Sequence, residues 1–371
     1  MTSVVPRTRC ARPGNGAAAL AACLRRAARR RTSGLTGQPV GEQALLGLPV
    51  SRSPVRCMPR LVQANAFERT AVLTFPLAVV FSILLSPIMA AQTPTPDVAP
   101  ITKGQRIFYT GHSFHVFIPP ILQNMAEDAG IVGQENLGLS SIGGSRVIQH
   151  WDVPETNNQA KAALRTRRVD VLTLAPIFMP EDGMEKFAAL ALENNPAIRI
   201  TVQEDWLWRD TVEAIGNIWT PKTFDYDTMT GAQLLAIHAP VFKSIDDTVA
   251  ALNQKFGKTV LYIVPAGQAV IALRERIRTG KAGGLRTQTE LFRDRIGHPA
   301  EPVQVLVAYC HFAVIYRSSP VGLPAPKMMA DAHKPEWNDA TVRVLQEVAW
   351  EAVTQHPQSG VRQTKAANTG K

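Results

Sequence analysis

Lysine is absent from the first 69 residues of this 371-residue chain, and acid is nearly so. Met1 to Arg69 holds twelve arginines against Glu42 and Glu68 alone, a surplus of +10. The whole chain has 40 basic and 30 acidic residues, also +10, so everything after Arg69 carries 28 of each and is neutral. The high isoelectric point, about 9.7, therefore belongs to the leader. That excludes a nucleic-acid binder read from net charge, because the body has no basic excess to follow a phosphate backbone. Cysteine is scarce as well. Cys10, Cys23 and Cys57 fall in the leader, and Cys310 stands alone afterwards, so the body cannot form an internal disulfide. Cys310 lies in an apolar helical pattern and is expected to be an inert buried residue. No Cys/His set has zinc-ligand spacing, and no metal is expected. Internal repeats are lacking too.

Residues 1–57 are rich in Ala, Arg, Pro and Gly without a sustained apolar period, and are expected to be disordered or to precede the real start, for which Met58 is a candidate. Residues 58–91 combine a basic flank, an uncharged run from Thr70 to Ala91 and small residues at its end. This is the pattern of a secretory signal cut near Ala90 or Ala91. The alternative is a single membrane anchor, since the run approaches the ~20 residues that span a bilayer; Pro76 and Pro87 favour the signal. A Pro-rich linker, 92–101, follows. The expected location is exported, periplasmic or extracellular, with a membrane tether if the segment stays uncleaved. A polar tail, 362–371, ends the chain.

From 102 to 361, short apolar runs alternate with amphipathic segments. Strands are expected at Arg106–Thr110, Leu137–Ile142, Val169–Leu174, Ile198–Gln203 and Thr259–Val264. Helices are expected after the Pro119-Pro120 pair and at Asn157–Thr166, Met184–Asn194, Gly231–Lys255 (Thr230 as cap, Gly257 as stop), Gln268–Thr279, Thr287–Phe292, Val303–Tyr316 and Asp339–Thr354. Strand–helix alternation with apolar strands implies a parallel sheet covered on both faces, an α/β domain. In such sheets ligands bind outside the carboxyl ends of the strands. His112 and Ser113 follow the first strand there. Gly143, Gly144 and Arg146 follow the second, Pro176 and Phe178 the third, Glu204, Asp205, Trp206 and Trp208 the fourth.

A serine hydroxyl becomes a nucleophile when a base takes its proton and an acid orients that base. Ser113, in a strand–turn–helix layout, is the candidate nucleophile. Asp294-Arg-Ile-Gly-His298 puts a carboxylate and an imidazole on one late loop. Gly143-Gly144 offers unobstructed backbone N–H groups for a developing oxyanion. His112 and His115 are candidate substrate-binding or supporting groups, as is Arg146. Glu204 and Trp206 at a strand end are candidates for an acidic and aromatic wall facing a polar substrate.

The ordered set Gly-His-Ser-Phe (111–114), Ile142-Gly-Gly-Ser-Arg-Val-Ile-Gln-His-Trp151, Val264-Pro-Ala-Gly-Gln-Ala269 and Asp294…His298-Pro resembles the SGNH (GDSL-type) hydrolase superfamily, in the branch whose first block reads Gly-Asn-Ser-Phe. The resemblance spans roughly Gln105 to Pro326. It implies a three-layer α/β/α sandwich with a five-stranded parallel sheet, flavodoxin-like, and ester hydrolysis through an acyl-serine without metal or cofactor. It further implies Ser113 as nucleophile, His298 as base, Asp294 as its orienting acid, and the Ser113 and Gly144 amides as oxyanion hole. The substrate implied is an ester of a small acyl group, such as acetyl on carbohydrate; the alternative is an inactive glycan-binding domain on the same fold. Two departures stand out. The family's third block supplies an Asn to the oxyanion hole, and no Asn follows the third strand here; one lost donor can cost ~10²–10³ in rate. Three residues, not two, separate Asp294 from His298, so the loop must bulge or another carboxylate must serve.

Overall fold

The computed structural model describes residues 99–177, 179–207 and 226–362. The leader, the signal or anchor segment, most of the linker, Phe178, Trp208, the three leader cysteines and the tail from residue 363 lie outside the described residues. Among the described residues no helix is long and apolar enough to cross a membrane.

Five strands form one parallel sheet: β1 (Arg106–Gly111), β2 (Glu135–Ser141), β3 (Val171–Leu174), β4 (Arg199–Gln203) and β5 (Leu261–Val264), in the order β2-β1-β3-β4-β5. The order reverses at β1, where such sheets leave a crevice. Register aligns the carboxyl ends: Gly111 pairs with Ser141, Thr110 with Leu174, Leu174 with Val202, and Gln203 with Val264. One edge therefore carries the turns that follow all five strands.

Successive strand side chains point to opposite faces, and the core splits accordingly. Ile107, Tyr109 and Val171 face α1 (Ile118–Asp128), α6 (Ala266–Arg278), α7 (Glu301–Tyr316) and α9 (Asp339–Gln355). Phe108, Leu172, Leu174 and Ile200 face α2 (Val147–Trp151), α3 (Gln159–Arg165), α4 (Asp182–Asn194) and α5 (Gly231–Lys255). The chain is thus an α/β protein, a three-layer sandwich of flavodoxin-like topology. Helix α7 is buried at every position from Pro302 to Tyr316. A helix apolar all round needs cover on all sides. The sheet supplies one and α9 supplies the outer one with Val342, Leu345, Val348, Ala349 and Val353. Cys310 sits in this helix, buried, its thiol pushed far above the ordinary range by burial.

Local signals set several boundaries. Pro119 and Pro120 occupy the first turn of α1, where missing N–H groups cost nothing. Thr230 caps α5 in a capping box with Gln233, and Gly257 follows its end at φ +67°. The expected helix at Thr287–Phe292 is only a 3-10 turn, Thr289–Leu291. There the Glu290 carboxylate accepts from the Thr287 backbone N–H, and Asp227, 61 residues earlier, accepts from the Gln288 N–H. Helices α2 and α8 (Lys327–Ala330) are too short to show a period and were not expected.

Candidate active site

Ser113 stands two residues beyond β1, half-buried. Gly111 ends the strand because the His115 ring folds back against it: a Cβ there would lie 2.7 Å from the ring. The turn closes with His115 and Val116 amides donating to the His112 carbonyl, 2.8 and 3.1 Å. Some 185 residues later, the His298 Nε2 lies 2.9 Å from Ser113 Oγ. Its Nδ1 lies 2.6 Å from Asp294 Oδ2. The longer Asp–His spacing is absorbed by an Asx-type turn: Asp294 Oδ1 accepts from the amides of Ile296, Gly297 and His298 at 2.9, 3.2 and 3.2 Å, with Gly297 at φ +95°. Partial burial raises the Asp294 carboxyl, but the hydrogen bonds and charge of His298 outweigh it and hold it below its ordinary range. It is a carboxylate at neutral pH, so Nδ1 keeps its proton and Nε2 is free to accept from the serine.

The imidazole is held by packing as well. Its ring meets Phe114 edge-on at 5.4 Å, and Phe114 stacks on Trp206 at 4.7 Å. Trp206 Nε1 donates to the Gly297 carbonyl, 2.9 Å, and the Tyr226 hydroxyl to the Asp294 carbonyl, 3.3 Å. The Ser113 turn, the end of β4 and the His298 loop form one packed unit.

Gly143 and Gly144 are exposed at the end of β2, beside Ser113's strand, and Gly144 has φ +61°, which suits glycine. Among the described residues neither the Ser113 nor the Gly144 amide has an internal acceptor. Ser145 pins this turn. Its hydroxyl donates to the Ile142 carbonyl, 2.8 Å, and lies 2.7 Å from His150 Nε2. With its proton so committed, Ser145 accepts from His150, whose Nδ1 takes the Ser140 hydroxyl at 2.7 Å. Burial, then the charge of His112, lowers His150 to about 4, so it stays neutral. Arg146 does not reach into the crevice with all its nitrogens free: it bonds the Pro180 carbonyl and Glu181. Glu181, which the sequence did not single out, is buried and accepts from the amides of Val147, Ile148 and Gly183 at 3.0, 2.9 and 3.0 Å. It ties the start of α2 to that of α4. After β3 come Ala175 and Pro176, both buried, and no Asn stands there.

Four expected substrate contacts are interior. His112 is 1% exposed and His115 0%, Glu204 0% and Trp206 2%. None lines a substrate wall, and the acidic and aromatic wall expected after β4 is core. His115 Nδ1 and His311 Nε2 each lie 2.9 Å from Gln203 Oε1. The Gln203 amide nitrogen donates to the Phe114 carbonyl, 2.9 Å, and to Asp205. That fixes the amide's orientation, so both histidines must donate to its oxygen. His115 Nε2 then accepts from Thr173 Oγ1, 2.7 Å. Burial drops His115 to about 3 and holds His311 well below its ordinary value. Asp205 Oδ2 faces His112 Nε2 at 3.1 Å. Gln203 and His311 had one signal in the sequence: a polar side chain inside an otherwise apolar strand or helix must find partners.

Among the described residues, Glu204, Asp246 and His356 bring ligand-type atoms within 4.8 Å of one another. The Gln358 amide donates to His356 Nδ1, 3.2 Å, so the neutral ring carries its proton on Nε2, facing Asp246 at 3.3 Å and Glu204 at 3.8 Å. Burial, then Asp246, pushes the Glu204 carboxyl well up against the hydrogen bond from Gln268. A histidine that binds a metal through Nε2 needs the opposite tautomer.

No family model matches the chain, and no curated protein does. Among solved structures the chain is similar to a DUF4886 family protein from Bacteroides uniformis, with 14% identity, TM-score 0.43, and coverage of 68% of this chain and 95% of that one. It is also similar to a candidate GDSL-like lipase from Parabacteroides merdae, with 14% identity, TM-score 0.36, and coverage of 59% and 97%. At these values neither assigns a family or an activity to the chain.

Proposed function

We propose that the chain is an SGNH-type serine esterase that cleaves small acyl esters through an acyl-serine. The observation that carries this reading is the unbroken line from Ser113 Oγ through His298 to Asp294, 2.9 and 2.6 Å. Such contacts let the base take the hydroxyl proton as attack begins.

Ser113 Oγ attacks the carbonyl carbon while its proton passes to His298 Nε2. Asp294 holds the Nδ1–H and the new positive charge. The carbonyl oxygen becomes an oxyanion directed at the Ser113 and Gly144 amides. His298 then gives the proton to the leaving oxygen, the C–O bond breaks and the alcohol departs. Water, deprotonated by the same nitrogen, releases the acid and restores Ser113. The resemblance adds acetyl on carbohydrate as the substrate; export through residues 58–91 is part of the same proposal.

Ser113→Ala should abolish hydrolysis of p-nitrophenyl acetate with an unchanged circular dichroism spectrum, and a fluorophosphonate should label wild type once, at Ser113. Full activity in the variant removes Ser113 from the mechanism. A folded wild type with neither turnover nor label would return the chain to a non-catalytic, glycan-binding role.

A further inference from the structure

The chain after Arg69 is neutral as a whole, yet its charge is uneven at the amino edge of the sheet, the edge opposite Ser113. A pocket of about 540 Å³ opens there, among the segments that lead into β1, β2, β3 and β4. Four cations line it, Lys103, Arg106, Arg167 and Arg199, against two acids, Glu135 and Asp170. Both acids are already engaged. Asp170 accepts from Arg106 Nε and Nη2, 2.9 and 2.7 Å, and from the Arg106 amide, 2.9 Å. Glu135 accepts from Arg168 Nη2 at 2.8 and 3.0 Å. Among the described residues Arg199 meets neutral acceptors alone: the Val314 and Ile315 carbonyls at the end of α7, 3.5 and 2.8 Å, and Gln105 Oε1, 3.2 Å. Burial, then the charge of Arg317, lowers its guanidinium to about 10. Lys103 and Arg167 are exposed, and among the described residues their side chains have no hydrogen bond or ion pair. Arg167 follows the cap of α3 at φ +61°, a conformation that favours glycine.

We propose that this pocket binds a small polar polyanion, bearing phosphate or carboxylate groups, between Lys103, Arg167 and Arg199. The proposal stands apart from the esterase reading. Arg199 carries it furthest. A partly desolvated cation beside a second one, ion-paired with no acid, is incompletely satisfied until a negative group arrives. The α7 carbonyls take some of its donors, but the two exposed cations bond no carbonyl and stay available. Concave walls focus the field of such charges, and a guanidinium fork matches the oxygens of phosphate and carboxylate alike. The excess of two positive charges in the lining suits more than one negative charge on the ligand. The lining also sets what else the ligand carries. Apart from Ala197 it holds no apolar side chain, so an aromatic base or an acyl chain would have nothing to pack against. Sugar phosphates and polycarboxylic acids are the classes that fit.

The test follows the thermal midpoint of the full chain by scanning calorimetry as sodium pyrophosphate or sodium citrate is added, against sodium chloride at equal ionic strength. A ligand of the folded state raises the midpoint with its concentration, which yields an apparent Kd. The leader's twelve arginines are common to every chain compared, so differences between chains report the pocket. Wild type should respond to one or both salts beyond the chloride control. A stronger response to pyrophosphate assigns phosphate as the recognised group, and a stronger response to citrate assigns carboxylate. Arg167→Gly suits the positive φ and keeps the fold; its apparent Kd should weaken about tenfold or more, the loss expected for one charge-assisted hydrogen bond. Lys103→Gln, at an exposed side chain, should shift the Kd in the same direction. Ser113→Ala should bind as wild type does, because Ser113 lies at the other edge of the sheet. A wild-type response that chloride reproduces would overturn the proposal. So would an apparent Kd unchanged in both Arg167→Gly and Lys103→Gln, and so would loss of binding in Ser113→Ala, which would put the anion at the triad. None of these results bears on turnover of p-nitrophenyl acetate, so the esterase reading stands or falls separately.

Discussion

Gln203→Met should test the buried network beneath the Ser113 turn. The replacement is close in volume and lacks both amide groups. In the wild type that amide accepts from His115 and His311 and donates to the Phe114 carbonyl and Asp205. Three or four buried polar groups lose a partner, each worth roughly 1–3 kcal/mol when left unsatisfied. His115 can recover part by moving its proton to Nε2 and donating to Thr173, so a net loss of roughly 3–6 kcal/mol is expected. That is a large share of a typical 5–15 kcal/mol stability. At roughly 2–4 °C per kcal/mol for a domain of this size, the thermal midpoint should drop by roughly 6–24 °C. The assay is scanning calorimetry beside Gln254→Met, an exposed control that should stay within about 0.5 kcal/mol. Below the midpoint, kcat should fall more than KM changes, because the Phe114 carbonyl is the tether of the serine turn and a shift of about 1 Å can cost 10²-fold. A midpoint within about 3 °C of wild type, with kcat intact, would refute the network's role.

Asp294→Asn keeps the turn but favours the wrong imidazole tautomer, and kcat for p-nitrophenyl acetate should fall by roughly 10⁴; a loss under about tenfold would remove Asp294 from the proposed triad. Buried His150 is held near 4, below the ~6.5 of an exposed imidazole. As pH falls from 7 to 5 the unfolded chain takes up a proton that the folded one refuses, so this site alone costs roughly 2 kcal/mol of stability. Glu204, raised by burial, pulls the other way, so the readout is differential: His150→Asn should show a smaller loss in urea midpoint between pH 7 and 5 than wild type. Gly111→Ala must displace the His115 ring, 2.7 Å away, and should lower both the thermal midpoint and kcat; unchanged values would show that the ring moves freely. Glu181→Ala strips an acceptor from three amides at the starts of α2 and α4 and should destabilise by about 2 kcal/mol or more by chemical denaturation.

The sequence by itself determined the layering and the working edge. Apolar strands separated by amphipathic helices allow only a parallel sheet with both faces covered, and right-handed crossovers put every βα turn on one side. That edge brought forward Ser113 and Gly144 as candidates; it omitted the Asp294–His298 loop, which entered through its neighbouring carboxylate and imidazole and through the family resemblance. The sequence could not say which polar residues at that edge meet solvent. His112, His115, Glu204 and Trp206 stand beside Ser113 in the topology, yet they point into the core, and burial is a property of the packed whole. Partners such as Gln203 with His311, or Glu181 with α2, are separated by dozens of residues and leave no local period. Tertiary structure decided those, because a buried polar atom is satisfied by whatever the fold brings within about 3 Å, and no short window of sequence contains that neighbour.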